Sequence, residues 1–312
     1  MKVAVIGSGA LGCLFGAKFS KKNDVILLTH TQKEADIINE KGLSVKKDEG
    51  LVEHFYEHVT TCVSGTYEQS VDVVVILVKT LQTENALQQN LKLIGKDTLV
   101  LTLQNGLGNF ETISKYVDEK QLVLGTTNHN SVWLSEGNVF HSGSGITTIG
   151  GAKVSSDNLQ KIKGLFEQSG FEVAVSENIG YLLWRKLFVN LTLNSFTYIT
   201  LTPLGFVSQN QYARVFARKI LSEAVDVARA EGQNFDVDEV VDFVNYVSET
   251  HLNGYSSMSQ DRKRGVKTEI DWINGAVVKL ARKHNISVPY NECVVNMVHA
   301  IEDADVYNSS MK

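Results

Sequence analysis

Apolar residues follow two kinds of pattern along the chain, and the change between them comes near Ser176. Before it, short continuous apolar runs alternate with helical stretches. Lys2 to Ile6 is such a run. It leads into Gly7-Ser8-Gly9-Ala10-Leu11-Gly12 and then a segment of helical composition ending near Lys22. Asp24 to Leu28 repeats the β-rich run, and Thr29 to Gly42 repeats the helical composition, with Gly42 where a left-handed cap costs little. This is the βαβ unit of a parallel sheet. Val71 to Val78 and Thr98 to Leu103 are apolar at consecutive positions, as strands covered on both faces are. Leu122 to Asn128, Gly137 to His141 and Ile146 to Ile149 alternate more and carry glycines, which predicts antiparallel edge strands.

After Ser176 the period becomes helical. Amphipathic patterns cover Glu177 to Thr197, Gln209 to Glu231, Val237 to Thr250, Thr268 to His284 and Pro289 to Ala304. Pro203 and Pro289, the only two prolines, fall after one helix and in the first turn of another. The predicted fold is an α/β Rossmann-type parallel-sheet domain, residues 1–175, followed by an all-helical domain, residues 176–312.

Gly7, Gly9 and Gly12 satisfy GxGxxG in its required setting, after a strand and opening a helix. The spacing gives a tight turn, close backbone approach to a pyrophosphate and close packing of helix on strand. The loop Gly7, Ser8, Gly9, Ala10, Leu11 and Gly12 is therefore the candidate dinucleotide-binding segment, and the alternative is a glycine turn without a ligand. An acid at the end of the second strand would accept from the ribose 2′-hydroxyl of NAD. Thr29-His30-Thr31-Gln32-Lys33 contains none and offers His30 and Lys33 to a 2′-phosphate, which favours NADPH over NADH. A solvated surface lysine is the other reading of Lys33.

In the helical half, Lys186, Asn190 and Asn194 recur every four positions in Trp184-Arg185-Lys186-Leu187-Phe188-Val189-Asn190-Leu191-Thr192-Leu193-Asn194 and share one helix face. The rest of the helix is apolar, so the polar stripe is expected in a buried cleft, with a solvated stripe as the alternative. A desolvated lysine has a lowered pKa and can hand a proton to a developing alkoxide. Further on, Thr268 or its neighbour is positioned to cap a helix whose first turn holds Glu269 and Asp271. On local grounds capping is the expected role of those acids.

Composition narrows the partners. The 312 residues are 43% hydrophobic and 21% charged, ordinary globular usage. Thirty Lys and Arg against 35 Asp and Glu leave a net charge of -5, with no basic block to track nucleic acid. The longest apolar run is far below the roughly 18 residues of a membrane span, and the first strand is too short for a signal peptide. Cys13, Cys62 and Cys293 form no CxxC, which suits a reducing, cytoplasmic setting, and Cys13 reads as a small buried residue. The eight histidines show no metal spacing, so no metal is expected; His54 and His58 fit one helix face but read as a solvated pair. No GxSxG elbow supports hydrolysis. The amphipathic helical half has surface enough for a homodimer.

GSGALG, Val78-Lys79-Thr80, Gln104-Asn105-Gly106, WRKLFVNLTLN and SSMSQD followed by TEIDWINGA, in this order over nearly the whole chain, resemble the ketopantoate reductase (2-dehydropantoate 2-reductase) family. The resemblance implies that a Rossmann domain binds NADPH, that a helical domain closes over it, and that a 2-oxo acid is reduced in the cleft between them to a D-2-hydroxy acid. It implies Lys186 as the catalytic acid, Glu269 as its partner, and Asn190, Asn194 and Ser257 as substrate-binding residues. Lys79 and Asn105 fall near the nicotinamide ribose and the substrate. Many NADPH-using members carry an arginine where this chain has His30. NAD-dependent D-2-hydroxy acid dehydrogenases of the family, acting on bulky substrates such as mandelate, carry an acid there, which the 29–33 segment lacks. Such a dehydrogenase, and a non-catalytic dinucleotide sensor, are the alternative functions.

Overall fold

Successive residues of the first strand, β1 (Lys2–Ile6), bury against different layers: Val3 and Val5 join one apolar cluster, Ala4 and Ile6 another. That is why the run lacks polar alternation. The computed structural model describes residues 1–47 and 50–310. It divides into two compact units, Met1–Gln104 with Asn109–Ile179, and Asn105–Gly108 with Gly180–Lys312.

In the first unit, β1 is followed by α1 (Ala10–Phe19), β2 (Asp24–Thr29), α2 (Gln32–Lys41), β3 (Leu43–Lys46), β4 (Val52–Phe55), β5 (Val59–Val63) and β6 (Val73–Ile76). Then come α3 (Thr83–Gln89), β7 (Leu99–Thr102), α4 (Asn109–Ile113), β8 (Leu122–Thr127), β9 (Asn130–Ser135), β10 (Asn138–Gly143), β11 (Thr147–Gly150), α5 (Ser156–Glu167) and β12 (Val173–Val175). The main sheet has the order β12-β11-β8-β7-β6-β1-β2-β5, and β1 pairs in parallel with both β2 and β6. The order reverses at β1, so the glycine loop leaves the carboxyl end of the strand at the switch point, where open α/β sheets bind ligands.

The three segments expected as antiparallel edge strands each have an antiparallel partner, but none lies at a sheet edge. β8 is an interior strand, parallel to β7 and antiparallel to β11. β10 lies in a separate four-stranded sheet, β4-β3-β10-β9, antiparallel to β9 and parallel to β3. His54 lies in β4, and His58 has φ 57° with its ring 2.9 Å from Asp24, so no helix face joins them. Cys13 is fully buried, as expected.

Between β8 and β9, His129 is 7% exposed against Phe15 and Phe171, and its Nδ1 lies 3.1 Å from Nε2 of His141 in β10. Burial, and then the neighbouring His141, lower the His129 pKa to about 4. The unfolded chain therefore binds more protons than the native state between about pH 6.5 and pH 4, and stability declines as pH falls through that window. The loss is at most about 3.5 kcal/mol, at roughly 1.4 kcal/mol per unit. Urea unfolding at pH 7 and pH 4.5 should show a smaller difference for His129→Leu than for the wild type.

The second unit is helical: α6 (Ile179–Val189), α7 (Ser195–Thr200), α8 (Phe206–Gln209), α9 (Gln211–Ala230), α10 (Val237–Thr250), α11 (Ser257–Lys263), α12 (Asn274–Lys283) and α13 (Pro289–Ser310). Trp184, Leu187, Phe188 and Leu191 bury among Ala224, Ala228, Phe235 and Val277. Among the described residues, no helix is long and apolar enough to cross a membrane.

Candidate active site

α6 does not run unbroken into α7. Asn190–Asn194 form a π turn between them, where the helix takes an extra residue. Side chains bond the nearby carbonyls: Thr192 Oγ1 donates to Phe188 O at 3.0 Å, Thr197 Oγ1 to Leu193 O at 2.6 Å, and Ser195 Oγ to Leu191 O. The turn is wholly buried, so the polar stripe is not a solvated one.

Lys186 is half-buried near the end of α6. Burial lowers its pKa to about 8, against the opposing pull of the Glu269 charge. One turn on, Asn190 Oδ1 accepts from Asn194 Nδ2 at 3.2 Å, and the same Nδ2 lies 3.5 Å from Ser257 Oγ. Among the described residues the buried Asn190 Nδ2 has no acceptor. A buried amide donor in that state costs roughly 1–3 kcal/mol unless a ligand takes it. Ser257 itself is exposed at the start of α11. The preceding Ser256 caps that helix by accepting Ser259 N–H at 3.1 Å, and Thr197 Oγ1 donates to Ser256 Oγ at 2.9 Å. This buried hydroxyl cluster fixes α11 beside the π turn.

The expectation that Thr268 and its neighbours cap a helix is corrected. Thr268 N–H and Oγ1 both donate to Glu302 Oε1 at 2.8 Å, and Asp271 meets His299 at 2.9 Å. A 3-10 turn, Ile270–Trp272, follows, and α12 starts only at Asn274. Glu269 thus precedes a 3-10 turn and not the α-helix, and its charge raises the Lys186 pKa. Leu107 N–H donates to Trp272 O at 3.0 Å, which holds Asn105–Gly108 on this turn. Gly106 has φ +84°, and a Cβ there would stand 2.4 Å from Trp272 O, so the approach requires glycine. Lys186, Glu269, Asn190, Asn194, Ser257 and Asn105 therefore all belong to the second unit.

In the first unit, Gly7 has φ +109°, and a Cβ would meet Val78 N at 2.8 Å; one on Gly12 would meet Gly7 O at 1.8 Å. Gly9 is different: nothing lies within 4 Å of its Cβ position. The loop is compressed beneath and open above, at the N-terminus of α1.

The family model described as "Ketopantoate reductase PanE/ApbA" matches residues 3–153, and its C-terminal counterpart matches residues 178–302. The 2-dehydropantoate 2-reductases of Streptococcus pyogenes and Pyrococcus horikoshii are each 32% identical, over 97% of this chain and 98% of theirs. The chain belongs to the ketopantoate reductase family. It is thus an NAD(P)-dependent oxidoreductase acting on the CH–OH group. Among solved structures, a ternary complex of D-mandelate dehydrogenase with NADH and anilino(oxo)acetate superposes with TM-score 0.92 at 30% identity, covering 98% of this chain and 99% of that one. A PanE/ApbA family ketopantoate reductase from Ralstonia eutropha JMP134 gives 0.89 at 29% identity, covering 98% of this chain and 99% of that one.

The glycine loop suits the dinucleotide of this family, because Gly9 leaves room over the first N–H groups of α1 where an added Cβ would intrude. Lys79 lies half-buried past β6, opening a 3-10 turn at Thr80–Gln82. Gln104 Nε2 donates to Val78 O at 2.7 Å and so ties the end of β7 to that of β6. His30 and Lys33 are both exposed. The 29–33 segment holds no acid, but the sequence reading missed Glu34, one residue past it in the first turn of α2, which accepts from Ser8 Oγ at 2.6 Å. The available signal was Thr31-Gln32-Lys33-Glu34, a capping-box pattern that places an acid in the first turn of α2.

Proposed function

We propose that the chain reduces 2-dehydropantoate to D-pantoate, with Lys186 as the general acid and Glu269 as its charge partner. The observation that carries this is one lysine with a pKa lowered to about 8, coupled to one acid and followed by a buried amide donor lacking an acceptor. The glycine loop, Gly7 to Gly12, would hold the reduced dinucleotide, whose chemistry would be donation of hydride to a keto carbon. Lys186 donates a hydrogen bond to the keto oxygen and then its proton as that oxygen becomes an alkoxide. Asn190 Nδ2 donates to a substrate oxygen and so gains the partner it lacks. Asn194 holds Asn190 in orientation, and Ser257 and Asn105 bind the substrate carboxylate and its neighbourhood. The donor is a reduced nicotinamide dinucleotide; His30 and Lys33 are the groups the strand-end segment offers to a 2′-phosphate, set against the Glu34 carboxylate beside Ser8. Lys79 is the residue for the nicotinamide ribose.

A second reading is favoured by the superposition on D-mandelate dehydrogenase: the same machinery reducing bulkier 2-oxo acids with NADH. Loss of absorbance at 340 nm, followed with 2-dehydropantoate or benzoylformate and either NADPH or NADH, separates the two. Faster turnover of 2-dehydropantoate is expected. Preference for benzoylformate replaces the first reading with the second, and silence in every pairing overturns both.

Reduction needs protonated Lys186, so kcat/KM should be level below about pH 8 and fall about tenfold per unit above it. The Glu269 charge raises the lysine pKa, so Glu269→Gln should move this break to lower pH. A pH profile of both proteins checks the direction; a break unmoved in Glu269→Gln removes Glu269 from the role.

A further inference from the structure

We infer that Glu34, held by Ser8 in the glycine loop, selects the dinucleotide with a free adenosine 2′-hydroxyl and so makes the chain prefer NADH to NADPH. The inference rests on the dinucleotide reading of that loop. Ser8 is the residue between the first two glycines and is 8% exposed, and its Oγ donates to Glu34 Oε1 at 2.6 Å. The carboxylate is fixed from its own backbone as well, because Glu34 N–H donates to Thr31 Oγ1 at 3.2 Å in the N-cap of α2. In a capping box the acid would turn back to the N-cap N–H. Here it reaches across to the loop. A carboxylate has about four acceptor positions, and Ser8 occupies one. The remainder suit a ribose hydroxyl, the task an acid performs in NAD sites.

A 2′-phosphate brought to the same place meets a fixed negative charge. The opposing groups offer less: Lys33 is exposed on a flexible stem, and His30 is exposed. Glu34 also acts inward, on Cys13, whose thiol burial first and the Glu34 charge second push up to about 12. Cys13 in turn donates to Ser8 O at 3.1 Å, so loop, acid and thiol form one cluster.

Binding of NADH and NADPH to the wild type and to Glu34→Gln, measured calorimetrically without substrate, tests this apart from turnover. The wild type should bind NADH the more tightly. Glu34→Gln should shift the affinity ratio toward NADPH by about 10- to 100-fold, the range of a charge-assisted hydrogen bond. A merely structural role would weaken both nucleotides alike and leave the ratio unchanged, which overturns the inference, as does a wild-type preference for NADPH. Binding of neither nucleotide overturns the dinucleotide reading itself. Ser8→Ala keeps the charge and loosens its position, so its ratio should fall between the other two; a ratio equal to wild type in both variants removes the cluster from selectivity.

Discussion

Lys186→Ala should lower kcat for 2-oxo acid reduction by about 10²- to 10⁴-fold, the range of a positioned general acid, and change dinucleotide affinity little. The separation follows from where the residues lie: Lys186 belongs to the helical unit, whereas the glycine loop belongs to the sheet unit. The substitution also removes a positive charge that interacts with Glu269, so thermal unfolding of the variant should accompany the kinetics. Lys186→Arg distinguishes the two contributions of the side chain. Arginine keeps a positive charge near the developing alkoxide but does not release a proton at any working pH. Partial recovery of kcat in Lys186→Arg, with the break near pH 8 gone, is expected if the lysine both stabilises charge and transfers the proton. Turnover in Lys186→Ala close to wild type would remove Lys186 from the chemistry.

The sheet was legible where burial covers both strand faces. β6 and β7 read directly as apolar runs because every residue in them is buried. The second sheet was not legible. β3 and β4 are four residues each, and β4 has the sequence Val-Glu-His-Phe with a single buried position, too little for a period of two to register. β8 reads as an edge because its buried and half-buried residues alternate, yet it lies between β7 and β11. In the helical half the spacing of Lys186, Asn190 and Asn194 put the stripe on one face. The π turn was hidden, because Asn-Leu-Thr-Leu-Asn carries no proline or glycine to mark a change of helix.

Local rules do not reach what two acids do in the folded chain. Glu269 and Glu34 both stand where a helix start would use a carboxylate, yet Glu34 accepts from Ser8, 26 residues away, and the Glu269 charge raises the pKa of Lys186. Glu302, 34 residues from Thr268, takes the hydroxyl and the N–H that would have built a cap at Thr268. Capping signals describe what a side chain can do within one turn. Only the folded chain decides whether a tertiary partner displaces that use.

Gly12→Ala should destabilise the protein by about 2 kcal/mol or more and weaken dinucleotide binding by at least about 10²-fold, because the new methyl group falls 1.8 Å from Gly7 O. That oxygen is backbone, so no side chain can swing away to relieve the overlap. Either α1 lifts off the strand or the Gly7 turn opens, and both distort the N–H groups aimed at a pyrophosphate. Gly9→Ala isolates the binding term. Its backbone has φ -69° and ψ -171°, open to any residue, and nothing lies within 4 Å of the added Cβ. This variant should unfold at the wild-type temperature, yet bind dinucleotide more weakly, because its methyl group occupies the space left for the ligand. Thermal unfolding and calorimetric binding on the pair give the contrast: a loss of both in Gly12→Ala, and a loss of binding alone in Gly9→Ala. Wild-type affinity in Gly9→Ala would mean that the open side of the loop does not receive the pyrophosphate.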